Sequence, residues 1–519
     1  MDMLNYSKWV LISNLVVLLS ILPLQSQIAL PDILNDHMVL QRNIPIPVWG
    51  SAPIGKEIRV TIANRSVTTN SDAGGKWKVI LPSMEAGGPY VINIDSENHS
   101  IEIQDVMIGE VWLCSGQSNM EWPLEQSASA SAEIPAAAHP DIRVFLMKKK
   151  YPLDAKPFTR EMMEEIDQGN FYQDPNWLIC APETAAKFSA VAYFFAKKLH
   201  NSLKVPIGLI QNAVGGSPIQ SWVSRDGLSG HPQLEYLTNT DSGKTWHFQP
   251  GLHPWVSQRA MENLQPWLEF RDKAPLPRHP FGPGYLYDYG LKPLLPYPIN
   301  GMIWYQGESD AVNPDLYPHL FHQFVSDIRM AWNNQQLPVI FVQLPKIGNR
   351  SRWPELRQAQ VECLKIPNTA MVVSIDTGHP TDVHPKEKKV IGERLAAAAL
   401  GKWYQKPVAY QGPTLAGWSK EENEIILKFD HVGEGLKLNG GNVLGNLLLD
   451  GYVNNGTRSL YIYPVKVVLS KNQVVMFIPE EFELTAIKYA WVPYPDEPLL
   501  YNSHNLPASP FKIELPGNN

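Results

Sequence analysis

The sequence predicts an α/β fold with a central parallel sheet covered by helices, flanked on both sides by smaller β units. Three observations carry this expectation. Between residues 106 and 405, near-continuous apolar runs alternate with amphipathic helical patterns, as strands buried on both faces require. On either side of that stretch, short β-forming runs are separated by Gly-, Pro- and Asn-rich turns. The composition, 44% hydrophobic and 18% charged, supplies a large core and is unlike that of a disordered chain.

The elements follow in chain order. In residues 1–27, Lys8 precedes an apolar run from Trp9 to Leu24, and polar Gln25-Ser26-Gln27 close it. A charged start, an apolar stretch of this length and a polar exit describe a signal peptide, so the chain is expected to be exported to a periplasmic or extracellular space. Asn14, Ser20 and Pro23 interrupt the run, and no later segment reaches the roughly 18 apolar residues of a membrane helix. No membrane span is expected in the mature chain.

Residues 28–105 read as an N-terminal β-sandwich. Pro45–Trp49, Glu57–Ile62 and Trp77–Leu81 are β-forming, and Gly50, Gly55, Gly74-Gly75 and Gly87-Gly88-Pro89 punctuate them. Residues 106–405 form the α/β unit. Its strands are predicted at Gly109–Cys114, Ile207–Ile210, Gly301–Tyr305, Val339–Val342 and Ala370–Ile375. Phe188, Val191, Ala192, Phe195 and Leu199 share one helical face, as do Tyr317, Phe321, Phe324, Ile328 and Trp332. Residues 121–180 and an insert at about 230–300 read as irregular, the insert carrying seven prolines between Pro275 and Pro298. Residues 406–519 return to β, with strands expected at Ile425–Phe429, Ser459–Tyr463, Val474–Ile478 and Ile487–Trp491.

Charge and cysteine usage narrow the function. With 51 acidic against 44 basic residues the net charge is −7, which argues against phosphate backbones or anionic membranes as partners. Cys114, Cys180 and Cys363 are too few for a disulfide framework and lack zinc spacing. The 45 prolines, about 9% against a usual ~5%, and the 16 tryptophans suit the walls of a sugar cleft, and equally suit β-turns and a large core.

In an open parallel sheet, ligands bind beyond the carboxyl ends of the strands. Four strand ends here carry reactive residue types. The first leads into Ser115-Gly-Gln-Ser-Asn-Met120, the second into Gln211-Asn-Ala-Val-Gly-Gly-Ser-Pro218. The third leads into Gln306-Gly-Glu-Ser-Asp310 and the last into Asp376-Thr-Gly-His-Pro-Thr-Asp-Val-His384. Ser118 needs a base, and imidazole titrates near neutrality, which makes His384 the candidate and His379 its competitor. Asp382, two residues earlier, would share a side with His384 in an extended segment and orient its ring. Glu308 is the alternative acid. Backbone N–H groups of Ser118 and of Gly215 or Gly216, with the Gln306 amide, could receive an oxyanion. Each residue alone has an ordinary structural reading: a helix-capping serine, a first-turn histidine, turn glycines. Their joint placement at strand ends is what points to nucleophilic catalysis.

The same residues resemble a known family. Ser115-Gly-Gln-Ser-Asn-Met120, Gly215-Gly-Ser-Pro-Ile219 with Trp222, Trp304-Tyr-Gln-Gly-Glu-Ser309 and Asp382-Val-His-Pro385 are similar to the blocks of SGNH-type esterases, specifically sialate O-acetylesterases. Asn35–Gln41, Tyr489-Ala-Trp491 and Leu506–Phe511 extend the likeness over nearly the whole mature chain. The resemblance implies a flavodoxin-like SGNH hydrolase domain, no metal and no cofactor. It also implies an O-acetylated carbohydrate substrate, Ser118 as nucleophile and His384 as base. The chain departs from the pattern in the third block: many SGNH enzymes have Asn where this chain has Gln306-Gly307-Glu308, as related acetylxylan esterases do. The expectation is an exported serine esterase that deacetylates sugars, most directly O-acetylated sialic acids. The alternatives are an esterase of xylan or another polysaccharide, and a non-catalytic sugar binder using Trp222, Trp246, Trp255 and Trp267 as platforms.

Overall fold

The computed structural model describes residues 28–97, 99–238, 246–268, 276–441, 444–453, 459–479 and 482–515. The expected signal peptide at residues 1–27 lies outside them. The first strands are β1 (Val39–Gln41), β2 (Ile46–Ser51), β3 (Glu57–Ile62), β4 (Arg65–Asn70), β5 (Lys76–Leu81) and β6 (Gly87–Ser96). Burial alternates along β3 and β5, so each presents one face to an apolar interior. Ile58, Val60, Ile62, Trp77, Val79 and Leu81 are the buried set.

The strand β7 (His99–Gly116) joins two layers of the molecule. Its first half pairs antiparallel with β6, and its second half runs into the central sheet. That sheet takes the order β14-β12-β11-β7-β10-β8-β9, built from β8 (His139–Lys149), β9 (Tyr172–Cys180), β10 (Ile207–Ala213), β11 (Gly301–Tyr305), β12 (Val339–Val342) and β14 (Thr369–Val372). All neighbours are parallel except β8 and β9. The first strand of this sheet in chain order, β7, lies inside it, with later strands added on both sides; this is the doubly wound arrangement expected. The stretch 121–180, expected to be irregular, instead contributes β8 and β9.

The predicted helical faces are buried. Helix α2 (Ala190–Leu203) buries Val191, Ala192, Phe195 and Leu199, with Phe188 buried just ahead of its Ser189 cap, and helix α4 (Tyr317–Ala331) buries Tyr317, Phe321, Phe324 and Ile328. The insert holds α3 (Pro254–Leu268), and α5 (Trp353–Glu362) and α6 (Lys388–Lys402) complete the cover. The helix after β7, α1 (Ser118–Glu121), is a single turn. The two-residue strands β13 (Lys346–Ile347) and β15 (Gly378–His379) pair parallel beside the sheet.

The N-terminal strands and the central sheet share one apolar core. The C-terminal strands enclose a second one, to which Ile375 also belongs. Among those strands are Glu424–Asp430, Gln473–Phe477 and Phe482–Tyr489, close to three of the predicted positions. All three cysteines are free and buried, and burial pushes their thiols up.

Candidate active site

The site forms where β7 lies between β10 and β11. Gly116 ends β7 at φ +141°, and a Cβ there would stand 2.2 Å from the Tyr305 carbonyl oxygen of β11. Glycine therefore allows the two strand ends to meet. The next N–H, of Gln117, donates to that same carbonyl at 3.0 Å. Ser118 follows at once and faces the loops after β10 and β11.

His384 reaches Ser118 from the far edge of the sheet. Its Nε2 lies 2.8 Å from Ser118 Oγ across 266 residues of sequence. The Trp122 ring stacks on the imidazole at 4.8 Å and 22°. Burial lowers the His384 pKa first and the Lys388 cation second, while Asp382 and Glu121 oppose the shift. Burial and that cation both favour the neutral ring, the form able to accept a proton.

Asp382 is near, but not as the extended-strand argument expected. Its Oδ1 accepts the His384 backbone N–H at 2.8 Å and lies 3.7 Å from Nδ1. The segment is a tight turn, in which a short carboxylate finds the backbone two residues on before it finds the ring. His379 stands apart from Ser118: its Nδ1 accepts the backbone N–H groups of Thr381 and Asp382 at 3.3 and 3.0 Å and so shapes this turn.

Glu308 is buried, with Oε1 taken by the Asn119 side-chain amide and Oε2 without a hydrogen-bond partner among the described residues. Burial raises its pKa. Asn119 Nδ2 also donates to the Val383 carbonyl at 3.0 Å, and Asn119 Oδ1 accepts from Lys388 Nζ. Lys388 is itself only 1% exposed, and burial pushes its ammonium down to about 7. Asn119 and Lys388 were missed in the sequence; both flank predicted catalytic residues, but nothing in their spacing announced their pairing.

The expected oxyanion donors are placed unequally. Gly215 gives its N–H to Glu121 Oε2 at 2.7 Å, and Glu121 Oε1 pairs with Lys149 at 2.6 Å. Among the described residues, no protein acceptor takes the N–H of Ser118 or Gly216. The Gln306 amide is spent elsewhere: Nε2 donates to the Asp310 carboxylate and, at 3.2 Å, to the Ser217 carbonyl. Asp310, raised to about 7 by burial, also accepts the Ile219 N–H at 3.2 Å. Gln306 and Asp310 thus tie the loop after β10 to the loop after β11.

Ser118 and His384 lie where two clefts meet. One, of about 560 Å³, is walled by Trp122, Lys148, Lys149 and Lys187. The other, of about 420 Å³, is walled by Gly215, Gly216, Trp255, Arg350 and Trp353. Of the expected platforms, Trp222 and Trp246 are core residues, whereas Trp255, on α3 of the insert, is 41% exposed and lines the second cleft. No helix among the described residues is long and apolar enough to cross a membrane.

Comparison with known proteins finds carbohydrate acetylesterases. Residues 108–238 and 291–401 match the family described as carbohydrate esterase, sialic acid-specific acetylesterase. The mouse (Mus musculus) sialate O-acetylesterase is 29% identical over 427 residues, 73% of this chain and 74% of its own. The human (Homo sapiens) sialate O-acetylesterase is 25% identical over 525 residues, 92% of this chain and 91% of its own. The crystal structure of a carbohydrate acetylesterase from Xanthomonas citri superposes with a TM-score of 0.74 at 29% identity, covering 94% of this chain and 99% of that one.

Proposed function

We propose that this chain, whose residues 108–238 and 291–401 match the carbohydrate esterase family of sialic acid-specific acetylesterases, is an exported serine esterase acting on O-acetylated sugars, sialic acids first. The observation that carries the chemistry is the 2.8 Å contact between Ser118 Oγ and His384 Nε2 at the meeting of the two clefts. Ser118 Oγ attacks the acetyl carbonyl as His384 Nε2 takes its proton. The tetrahedral oxyanion is received by the N–H groups of Ser118 and Gly216, and by that of Gly215 once the Glu121 carboxylate yields it. Gln306 supports this loop from behind.

His384 then hands the proton to the leaving sugar oxygen, and acetyl-Ser118 remains. Water, deprotonated by the same ring, releases acetate and regenerates the serine. Asp382 offsets the charge of the imidazolium that forms in each half-reaction. By general magnitudes the base contributes roughly 10²–10⁴ in rate.

Support for sialic acid comes from the family match and from the sialate O-acetylesterases among the relatives. Of the lysines lining the first cleft, Lys149 and Lys187 are paired with Glu121 and Glu125, and Lys148 adds a cation suited to an anionic sugar. A second reading, a neutral plant polysaccharide, is favoured by Trp255 in the other cleft, since an exposed indole stacks on sugar faces without needing charge. The exported location rests on the pattern of residues 1–27.

The test is acetate release from O-acetylated sialic acids and from acetylated xylan by the wild type and Ser118→Ala. A folded, inactive variant is expected. Wild-type-like release by that variant would sink the mechanism, and faster turnover of xylan would move the substrate to the second reading.

A further inference from the structure

Lys388 carries an ammonium that burial alone gives no reason to keep. It sits in the first turn of α6, four residues after His384, and is 1% exposed. Its Nζ donates to Asn119 Oδ1, and Asn119 Nδ2 continues to Glu308 Oε1 and to the Val383 carbonyl next to His384. The ammonium also lies 5.7 Å from the ring centroids of Trp122 and Tyr305, and Trp122 is the residue stacked on His384. Taking two opposite charges out of water is costly, and apolar residues of similar volume often serve stability as well. A buried Lys–Asn–Glu chain that ends on the base-bearing loop therefore calls for a chemical use.

We propose that Lys388 is a positioning residue for the catalytic base: through Asn119, whose amide Glu308 also holds, it keeps the Val383–His384 loop against Ser118, and its positive charge keeps the imidazole in the proton-accepting form. The proposal rests on His384 being that base. The charges facing His384 are Lys388 from α6, Asp382 from its own turn and Glu121 from α1; those facing Lys388 are Glu308 and Asp382. Glu121 is itself paired with Lys149, and Asp382 is half in solvent, which leaves the buried cation the least screened of the three. The sign is set by like charges: an ammonium beside imidazole disfavours imidazolium. Because Lys388 titrates near 7, its charge is present in the acidic range where His384 would otherwise protonate, and fades above neutrality where the ring is already neutral.

The experiment is the pH profile of kcat/KM with 4-nitrophenyl acetate for the wild type, Lys388→Met, the double variant Lys388→Met/Glu308→Gln and His384→Ala. The double variant removes both buried charges and so avoids stranding Glu308. The acidic limb is expected to move up by about one pH unit in both Lys388 variants. The loss at pH 5.5 would then exceed the loss at pH 8 by up to about tenfold. A parallel drop at all pH values with an unmoved limb, or failure of both variants to fold, would make Lys388 purely structural and overturn the proposal. Retained activity in His384→Ala would instead overturn the assignment of the base itself.

Discussion

Asp382→Asn tests how the base is supported, and the geometry sets its size. The carboxylate oxygen stands 3.7 Å from His384 Nδ1, beyond hydrogen-bond reach, and the two side chains are 46% and 28% exposed. At that separation an ion pair is worth about 1 kcal/mol in bulk water and about 4.5 kcal/mol at an effective dielectric constant near 20. Exposure puts this pair at the watery end, about 1–2 kcal/mol. The same electrostatic support is what the imidazolium would lose in the transition state, so kcat/KM should fall about 5- to 30-fold. An acid bonded directly to the ring in a Ser-His-Asp triad costs about 10⁴ when amidated. The asparagine oxygen can still accept the His384 backbone N–H, now at 2.8 Å, so Asp382→Ala should lose more than Asp382→Asn by loosening the turn as well. Initial rates with 4-nitrophenyl acetate, checked by acetate release from an acetylated sugar, give the number. A loss of 10³ or more for the amide variant would refute the reasoning, because it would place the carboxylate on Nδ1 during turnover.

Four further outcomes are expected. Glu121→Ala should free the Gly215 N–H and raise kcat/KM for a small neutral acetyl ester several-fold; a tenfold fall would mean that Glu121 works for the reaction. Gly216→Ala adds a Cβ 2.4 Å from the Trp255 ring at φ +78°, straining the backbone by about 1–2 kcal/mol, and should harm sugar esters more than 4-nitrophenyl acetate. Arg357 is fully buried and donates to the carbonyls of Leu344, Pro345, Val492 and Pro493 at 2.8–3.1 Å, so Arg357→Met should cost about 3–5 kcal/mol in urea unfolding. In the wild type, kcat/KM should hold below the ordinary histidine pKa of 6.5 and fall only as pH drops through the lowered value, since the neutral ring exists above its pKa and burial has moved that pKa down.

Much of this was legible in the sequence, for identifiable reasons. Buried parallel strands such as Val339–Val342 are unbroken apolar runs, and the residues following them are the residues at the sheet's carboxyl edge; Ser118 and His384, which the structure brings within 2.8 Å of each other, are read from the sequence that way. β9 was missed because an antiparallel edge strand reading Tyr-Gln-Asp-Pro-Asn-Trp-Leu-Ile-Cys is half polar and contains Pro175, which a sheet edge tolerates. β8 was missed beside it although Ile142–Met147 is continuously buried. The roles of Asn119, Glu121, Gln306 and Lys388 depend on contacts between distant segments, such as the 269 residues separating Asn119 from Lys388, and local spacing does not encode those. Asp382 shows the converse: local geometry dominated, and the turn used its oxygen before the ring could.

The C-terminal strands then acquire a reason. β14 is the outermost strand of the central sheet, and the chain must leave that edge, cross open ground and return to Ser118 with His384. Just after β14, Val373 and Ile375 turn away from the central core and pack with the second one. Asp376 is then held by Arg394 of α6 through two charged hydrogen bonds of 2.7 and 2.6 Å. From the other side, Pro493 accepts the Ile347 N–H beside the β13–β15 pair, Lys346 faces Glu497, and Gln343 donates to Ser509. An uncovered sheet edge is an invitation to mispairing, and a base on an unsupported loop would spend its time away from the serine. The path to the base is thereby anchored at both ends, nine residues before His384 at Ile375 by the core of the C-terminal β unit, and four after it at Lys388 by Asn119 beside the serine.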